Sequence, residues 1–578
     1  MDTLQLLKIA DLHSATCFLN SLFKEWDGFV IDYDNESIKV ALSKESYLEM
    51  PIKKISVLGR HKYTGDFYLV RQEERVLLNF DEMIELLSSH LENVFNADTS
   101  SLKLFKKRVL ESRDNILKSI KYRLKNETVL KTNDFSFEDA EQALLVGHNF
   151  HPTPKIRDQF TDLDMQMYSP EFGAQFSLQW LLCSVEILHQ GFAESFNEKM
   201  WTHELLKSEK LNSDHLKSLD QGFMPVPMHP WQYDVLKQNK DVSYYIKSGK
   251  IIEFEREQRF LWKPTSSLRS LYRNDAPYML KFSMTLKLTN SIRHLLVHEV
   301  ERGLQMRDVL NTKKGQDYLK SQGLFQVISE PAYVALKDQE GSIIEESIVV
   351  CRENPFSKGS EKNKAVLATV AQDALLSHED SFIVNLLKNN SDPLSLKDKK
   401  KKWFQNYLKV VVKPLTLAAT QYGIVMGAHQ QNIVLDFENG YPIKAYFRDC
   451  QGTGYTELGF SNFSDEVRSL NRSNGNILSL EMANYLFGYY LILNSTFNVI
   501  SVLADEKDLS EEDLIQDLRD YMSSLKAEGV KDEAFLNYVL ESPYLMHKGN
   551  FICSFKSINE NTTENPLAIY SKIKNPLI

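Results

Sequence analysis

The pattern of apolar and polar residues predicts a chain of mixed helices and strands. Residues 280–288 alternate with a period of two, which is typical of a β-strand that buries one face. Helical periodicity covers residues 81–95 and again residues 102–124. Apolar runs at residues 55–58 and 67–70 lie on either side of turn residues and predict two strands. We therefore expect an α+β fold.

Residues 429–449 predict a β-hairpin. The dipeptide Asn439-Gly440 lies between two apolar-rich runs, and this is the strongest short signal for a type I′ turn. Counting back from the turn places Asn432 opposite Phe447 and Gln430 opposite Asp449. Four polar side chains then meet at the open end of the hairpin: His429, Gln431, Asn432 and Asp449.

This cluster of polar groups is suited to a magnesium ion and its phosphate partners. An amide oxygen from Asn432 and a carboxylate from Asp449 are hard ligands, which Mg²⁺ prefers and shares with phosphates. His429 and Gln431 can bond phosphate or acyl oxygens. The alternative is a polar hairpin end without a role.

A second group of residues predicts an anion site. Lys281 belongs to the polar face of the predicted strand 280–288, and Asn290 or Ser291 after it is typical of a helix N-cap, which places Arg293 in the first turn. The strand and the helix start would offer three groups to an anion: Lys281, Thr289 and Arg293. A solvated strand face is the alternative.

Two loops add to the expected anion binding. Hydroxyl groups flank an arginine at Ser267, Arg269 and Ser270, and a guanidinium forks onto phosphate oxygens. In the loop 146–157, His148 and His151 could bind zinc, but no third ligand follows at a recognisable spacing. Lys155 and Arg157 in the same loop would repel a cation, so we favour an anion-binding loop.

Length and charge narrow the class of protein. The chain has 578 residues, which is too long for a single hydrophobic core, so we expect two or three domains. A net charge of −10 disfavours nucleic acid and anionic membranes as partners. Five scattered cysteines and a start without a signal-peptide pattern favour a reducing, cytoplasmic location. The uncharged stretch 482–504 contains several polar residues and is interpreted as a buried helix.

Taken in order, these segments resemble the siderophore synthetases that work without a peptide-synthetase assembly line, the aerobactin synthetase (IucA/IucC) family. The resemblance runs from about Gly59 to Lys548. Its motifs are G-H-x-x-H-P-x-x-K from Gly147, H-P-W-Q from His229, T-S-S-x-R from Thr265, K-x-S from Lys281, T-N-x-x-R from Thr289, H-x-Q-N from His429 and R-D-x-x-G from Arg448. Each motif is weak alone, and the ordered set is specific. Walker-type, Rossmann and nucleophile-elbow motifs are missing from the sequence.

The resemblance implies an enzyme that adenylates a carboxylate, commonly citrate, with Mg²⁺ and ATP, and then joins it to an amine or alcohol with release of AMP and pyrophosphate. It implies ATP contacts from Ser267, Arg269, Ser270, Lys281, His429, Gln431 and Asp449. It implies carboxylate contacts from His148, His151, Lys155, Thr289, Arg293 and Lys548, and magnesium ligands Asn432 and Asp449. Arg293, His429 and Lys281 would be the catalytic residues. Members are often homodimers.

The family is also expected to have a hand-like architecture. We expect a thumb-like domain over residues 1–145, a fingers domain over 146–355 and a palm domain over 356–578. Gly427 replaces the acidic residue that usually precedes A-H-x-Q-N, and Leu486 falls where members often carry an arginine. The acid could therefore be a citrate derivative or another dicarboxylate, and the nucleophile stays open. A kinase-like phosphotransferase and a carboxylate- or siderophore-binding protein are the rival interpretations.

Overall fold

The computed structural model describes residues 2–72, 74–125, 134–198, 200–209, 222–254, 260–288, 291–376, 379–504, 508–558 and 566–578. Helices and almost entirely antiparallel sheets alternate along the chain, which confirms the α+β class. All five cysteines are buried, and none of them forms a disulfide.

The N-terminal part packs three helices against a six-stranded antiparallel sheet. The helices are Thr3–Glu25, Phe80–Phe95 and Thr99–Lys125. The strands are Val30–Asp32, Ser37–Ala41, Ser46–Lys54, Lys62–Tyr63, Phe67–Arg71 and Glu74–Leu78. Phe551 and Phe555, from a helix near the end of the chain, complete this core. The first and last parts of the chain are thereby packed together.

The middle part is built on two sheets. A three-stranded sheet has the order Ile251–Glu253, Gln179–Ser184, Phe223–Met228. A six-stranded sheet has the order Lys263–Pro264, Ser270–Tyr272, Tyr278–Phe282, Ile343–Glu353, Ala332–Lys337, Leu188–Phe192. The strands Met284–Leu288 and Ser291–Arg293 pair as a separate ribbon. The helices of this part are Phe137–Gln142, Asp162–Tyr168, Trp201–Ser208, Pro230–Leu236 and Lys240–Lys247.

The C-terminal part surrounds a four-stranded sheet with helices, and its core is the largest in the described chain. The sheet has the order Phe325–Val327, Tyr441–Phe447, Ile433–Glu438, Lys364–Val366, and its first pair is parallel. Two further pairs join Ile424–Val425 to Gly454–Tyr455 and Tyr544–Lys548 to Tyr570–Lys574. The α-helices are Val297–Asn311, Lys313–Ser321, Leu367–Val370, Phe382–Lys388, Leu396–Tyr407, Lys413–Tyr422, Glu457–Phe463, Leu480–Phe487, Phe497–Leu503, Glu511–Ala527, Ala534–Glu541 and Asn550–Phe555.

The uncharged stretch near residue 490 is a core helix. Leu480–Leu503 is long and apolar enough to cross a membrane, but 89% of its most apolar window is buried inside the protein. Its central turns, Gly488–Thr496, are wound as a π-helix, and such widened turns occur often at functional sites. The interpretation of a buried helix is confirmed.

In the N-terminal part most local predictions hold and one fails. The helices predicted over residues 81–95 and 102–124 and the strand over 67–70 are present with slightly different ends. The strand predicted over residues 55–58 is wrong, because the strand Ser46–Lys54 ends before it and a turn follows. Leu58 is buried from that turn, whereas Val57 is exposed.

The hairpin is present, but its register shifts by one residue. Asn439 and Gly440 form the turn with φ values of 47° and 76°, as a type I′ turn requires. A bulge between Asp436 and Phe437 inserts one residue, so Ile433 and not Asn432 lies opposite Phe447. The predicted pairing of residue 430 with 449 is also wrong, since Gln430–Asn432 is a short 3₁₀ turn.

The alternating segment 280–288 is two strands and not one. The strand is interrupted at Ser283, whose hydroxyl donates a hydrogen bond to the carbonyl of Glu345 at 2.6 Å. The expected helix start at Asn290 or Ser291 is wrong: Ser291–Arg293 is a strand, the next helix begins at Val297, and Asn290 lies outside the described residues. Arg293 therefore reaches its position from the end of a strand.

Candidate active site

A cavity of about 500 Å³ lies between the middle and C-terminal parts of the chain. Eleven of the residues proposed from the sequence line it: His148, His151, Lys155, Ser267, Arg269, Arg293, His429, Gln431, Asn432, Asp449 and Lys548. Two others do not: Lys281 lies behind Asp449, and Ser270 is buried in the adjacent strand. Thr289 lies outside the described residues. The structure thus brings together residues that are up to 400 positions apart in the sequence.

A buried ion pair supports the cavity wall. The Lys281 ammonium donates to the carboxylate of Asp449 at 2.5 Å and to the amide oxygen of Gln451 at 2.9 Å. Glu330 lies 3.8 Å from the same ammonium and is itself bound by Arg352 at 2.5 Å. Lys281 is only 1% exposed, whereas Asp449 is 32% exposed, so the lysine side of the network is shielded from water and the carboxylate reaches the cavity.

Asp449 is ionised and held in an unusual conformation. Burial would raise the pKa of its carboxyl group, but the charges of Lys281, Arg352 and Arg269 hold that pKa well below its ordinary value. Its backbone has φ 74° and ψ 66°, which lies in the left-handed region. This conformation is energetically unfavourable for any residue other than glycine. Non-glycine residues of this kind cluster at functional sites. The conformation turns the carboxylate toward the cavity at the end of the hairpin.

Asn432 presents an oxygen near the end of the hairpin that carries Asp449. Its amide nitrogen donates to the carbonyl of Gly427 at 3.0 Å, which leaves the amide oxygen as an acceptor. The backbone N–H of Arg448, the residue before Asp449, donates to the Asn432 carbonyl at 2.9 Å, so the segments that carry the two side chains are joined through the backbone. No group of three His, Cys, Asp or Glu that could hold a metal occurs among the described residues. One carboxylate and one amide oxygen suit Mg²⁺ that takes its other ligands from phosphates and water.

Arg448 connects the hairpin to the middle part. Its guanidinium donates to the carbonyl of Gln431 at 2.9 Å and to the carboxylate of Glu141 at 2.9–3.0 Å. The Glu141 carboxylate also accepts a hydrogen bond from the backbone N–H of Ser266 at 2.8 Å. Buried charges need such pairing, and here the pairing fixes the loop before Ser267 against the loop that carries Gln431.

His429 is neutral. Its Nδ1 accepts a hydrogen bond from the Gln431 backbone N–H at 3.2 Å. Burial, and then the charges of His148, Lys548 and Arg293, lower the pKa of His429 well below its ordinary value. The proton of a neutral ring therefore lies on Nε2, so His429 can act as a hydrogen-bond donor in the cavity.

The loop 147–157 contributes donors and a positive charge. Lys155 donates to the carbonyl of Leu144 at 2.7 Å and lies 3.5 Å from Glu171, which Arg157 also contacts at 3.3 Å. Burial lowers the pKa of Lys155 to about 8, although Glu171 opposes that shift. Two cations share one carboxylate here, and the loop keeps the net positive charge that an anion requires.

Two arginines approach the same wall of the cavity, Arg269 from the turn before the strand Ser270–Tyr272 and Arg293 from the end of the strand Ser291–Arg293. Arg269 donates to the backbone carbonyls of Arg293 at 2.9 Å and His294 at 3.2 Å. Burial lowers the pKa of Arg269, while the charges of Asp449, Glu299 and Glu330 raise it. Because its hydrogen bonds go to neutral carbonyls, the guanidinium stays positively charged beside the cavity.

The segment that carries Lys548 is fixed by the first helix of the chain. Glu25, at the end of Thr3–Glu25, accepts the backbone N–H groups of Phe551 at 2.7 Å and Ile552 at 2.8 Å. Asn550 lines the cavity and donates to the carbonyl of Phe150 at 3.0 Å, between the two loop histidines. Both contacts follow directly after Lys548, which ends the strand Tyr544–Lys548 that pairs with Tyr570–Lys574.

Sequence reasoning missed several cavity residues. Tyr489 and Tyr490 lie on the π-helical turns, and Glu299 and Arg302 lie on the helix that follows Arg293. Asn494 bonds both the Gln430 backbone and the ring of His148. The polar residues within the uncharged stretch 482–504 were the available signal for Asn494.

The two departures from the family pattern have structural outcomes. At Gly427 a β-carbon would meet only the carbonyl of Gly452, at 3.8 Å, so the missing acidic side chain leaves open space in the cavity. Leu486 is not part of the cavity wall, which in that helix is formed by Tyr489 and Tyr490 of the next turn. Neither change removes a described anion-binding group.

Comparison with known proteins identifies the class. The model of the IucA / IucC family matches residues 136–372, and a model described as ferric iron reductase FhuF-like transporter matches residues 401–563. The N(2)-citryl-N(6)-acetyl-N(6)-hydroxylysine synthase of Vibrio mimicus is 36% identical over 98% of this chain and 95% of its own length. The synthase of that name from Escherichia coli is 30% identical over 98% and 97%.

A solved structure agrees along the whole chain. ATP-bound aerobactin synthetase IucA from a hypervirulent pathotype of Klebsiella pneumoniae superposes with a TM-score of 0.91 at 29% identity, covering 98% of this chain and 99% of that one. The protein belongs to the IucA/IucC family of siderophore synthetases. It is a carboxylate–amine ligase of siderophore biosynthesis that uses ATP.

Proposed function

We propose that this ligase activates one carboxyl group of citrate as an acyl-adenylate and transfers the citryl group to the α-amine of a hydroxamate-bearing amino acid of the N6-acetyl-N6-hydroxylysine type. The observation that best supports this proposal is the cavity, in which cations from two parts of the chain surround the Asp449–Asn432 end of the hairpin. Similarity over nearly the whole length to two synthases of that named product supports the choice of substrates.

The proposed reaction has two steps. A citrate carboxylate oxygen attacks the α-phosphorus of ATP, the bond to the bridging oxygen breaks, and pyrophosphate leaves. The neutral amine then attacks the activated carbonyl carbon, the carbon–oxygen bond to AMP breaks, and the nitrogen loses a proton as the amide forms. Both transition states concentrate negative charge, so positioned cations and donors lower the barriers.

The residues take roles that follow from their chemistry. Arg293 forks onto carboxylate or phosphate oxygens, and His429 donates from Nε2 to an oxygen that gains charge. Lys281 orients Asp449 through their 2.5 Å contact. Ser267, Arg269 and Gln431 would contact the nucleotide, with Ser270 supporting their strand, while His148, His151, Lys155 and Lys548 would hold citrate, with Thr289 expected beside them.

Mg²⁺ would be held by Asp449 and Asn432. When bound there it would neutralise charge on the phosphates. The chain's own contribution is to keep Asp449 ionised and both oxygens aimed at the cavity. The homodimer and the thumb, fingers and palm domains that the family resemblance implies are also part of this proposal.

The test is pyrophosphate release from ATP and Mg²⁺ with citrate, a citrate monoamide, 2-oxoglutarate or succinate, and hydroxylamine as a trap for the acyl group. Release that depends on citrate, with AMP as the nucleotide product, supports the proposal. ADP would instead favour the phosphotransferase. Citrate binding without nucleotide turnover would favour a binding protein. Pyrophosphate release that depends on another acid would show that this acid, and not citrate, is the substrate.

A further inference from the structure

Two oppositely charged residues of the cavity are not used by the proposed citrate and nucleotide contacts. Glu299 and Arg302 both line the cavity and lie three residues apart near the start of the helix Val297–Asn311. Residues at this spacing share one face of a helix, with about 5–6 Å between their β-carbons. They therefore present a negative and a positive group side by side.

Neither charge is neutralised by an ion pair in the described structure. Among the described residues that line the cavity, Glu299 and Asp449 are the carboxylates, and only Asp449 has a cation within ion-pair distance. Arg302 donates to the backbone carbonyl of Asn474 at 3.1 Å, while its buried Nε has no hydrogen-bond partner. Burial lowers the pKa of the Arg302 guanidinium and Glu299 raises it, which indicates that the two groups sense each other.

Charge decides which ligand fits this pair. Citrate and the ATP phosphates are anions, and Glu299 would repel both of them. A ligand that binds Glu299 carries a cationic group. A ligand that also binds Arg302 carries an anionic group next to that cation. An α-amino acid has this arrangement, with an ammonium and a carboxylate on one carbon, whereas a simple diamine has no carboxylate to offer Arg302.

We propose that Glu299 and Arg302 form the subsite for the amino-acid nucleophile, in which Glu299 binds its ammonium and accepts the proton that leaves a neutral amine, and Arg302 binds its carboxylate. This inference rests on the proposed ligase reaction and adds the place where the nucleophile binds. The helix start follows the strand Ser291–Arg293, so the subsite adjoins the guanidinium proposed to hold the acyl group. The amine is thereby delivered beside the carbonyl that it attacks.

The experiment compares two amines: N6-acetyl-N6-hydroxylysine and the same molecule without its α-carboxylate. For Arg302→Gln we expect the KM for the amino acid to rise about tenfold or more, as for loss of a charged hydrogen bond, and the KM for the decarboxylated amine to change less than twofold. For Glu299→Gln the KM should rise for both amines. Arg302→Lys, which keeps the charge, should recover part of the loss.

Controls separate this subsite from other causes. Hydroxylamine-trapped adenylation reports the first step, and its KM values for ATP and citrate should change less than threefold in these variants. Glu457→Gln removes the carboxylate of an exposed pair with Arg472, at 2.7 Å, and serves as a control outside the cavity. Absence of citrate-dependent pyrophosphate release in the wild type would overturn the proposed function instead.

Three results would overturn the subsite. The first is an amino-acid KM that stays at the wild-type value in both Arg302→Gln and Glu299→Gln. The second is a raised requirement for Mg²⁺ or ATP in the adenylation step, which would assign Glu299 to a cation and Arg302 to phosphate. The third is an equal loss for both amines with Arg302→Gln, which would exclude recognition of the carboxylate.

Discussion

Lys281→Met is expected to destabilise the protein and to remove its nucleotide chemistry together. The ammonium contacts Asp449 at 2.5 Å, Gln451 at 2.9 Å and Glu330 at 3.8 Å, and the side chain is 1% exposed. Removing one partner of a fully buried ion pair costs about 3–5 kcal/mol. Asp449 is 32% exposed, and Arg352 and Arg269 still offset its charge, so we expect the free energy of unfolding to fall by only about 1–3 kcal/mol.

The same change should disable Asp449. Burial raises the pKa of this carboxyl group, and Lys281 is the largest of the charges that hold it down. Without Lys281 the pKa of Asp449 rises, and its strained backbone loses the contact that fixes it. Pyrophosphate release should fall at least a hundredfold, a loss of about 2.7 kcal/mol in transition-state stabilisation.

A matched control lies in the neighbouring sheet. Lys364 pairs with Asp436 at 3.1 Å, is 9% exposed, and does not line the cavity. Lys364→Met should also lower the free energy of unfolding, measured by urea titration, but should keep pyrophosphate release and the KM for ATP near wild type. The reasoning is refuted if Lys281→Met keeps the wild-type KM for ATP, or if Lys364→Met loses activity equally.

Four further outcomes are expected. Arg293→Ala should abolish citrate-dependent pyrophosphate release, and unchanged turnover would exclude Arg293 from the site. Asp449→Asn should raise the half-saturating Mg²⁺ concentration at least tenfold, which a Mg²⁺ titration measures; a normal titration contradicts its role as ligand. The Lys155 ammonium, with a pKa of about 8, loses its proton as pH rises from 7 to 9, so the KM for citrate should rise over that range and stay level in Lys155→Arg. Glu25→Gln sets an amide N–H₂ against a backbone N–H and should raise the KM for citrate more than that for ATP, whereas Glu82→Gln, at a helix cap of the same part, should change neither.

The parts of the site that could be predicted from the sequence are those that local chemistry specifies. Asn439-Gly440 has one favoured turn geometry, so the hairpin and the polar groups at its open end follow from a few residues. The bulge after Asp436 was not predictable, because both registers keep apolar residues on the buried face over most of the strand. The error moved Asn432 by one position and left it in the cavity.

The break at Ser283 was missed for a related reason. Alternation continues unchanged through residues 280–288, yet the strand divides because the Ser283 hydroxyl bonds the carbonyl of Glu345 and accepts the backbone N–H of Leu295. These partners belong to other strands and loops, and no local pattern announces them. Arg293 lines the cavity, but from the end of a strand, because the helix begins only at Val297.

The contacts that were not predictable are those that join distant parts of the chain, and they also complete the site. Glu25 binds backbone groups more than 500 residues later, Arg448 binds Glu141 and Asn550 binds the carbonyl of Phe150. Each of these bonds ends beside a residue that lines the cavity. A substitution at any of them changes the relative position of cavity walls, so it acts on substrate binding even though its side chain touches no substrate. By the same linkage, ligands that bind only the assembled cavity must stabilise the packing of the middle and C-terminal parts against each other.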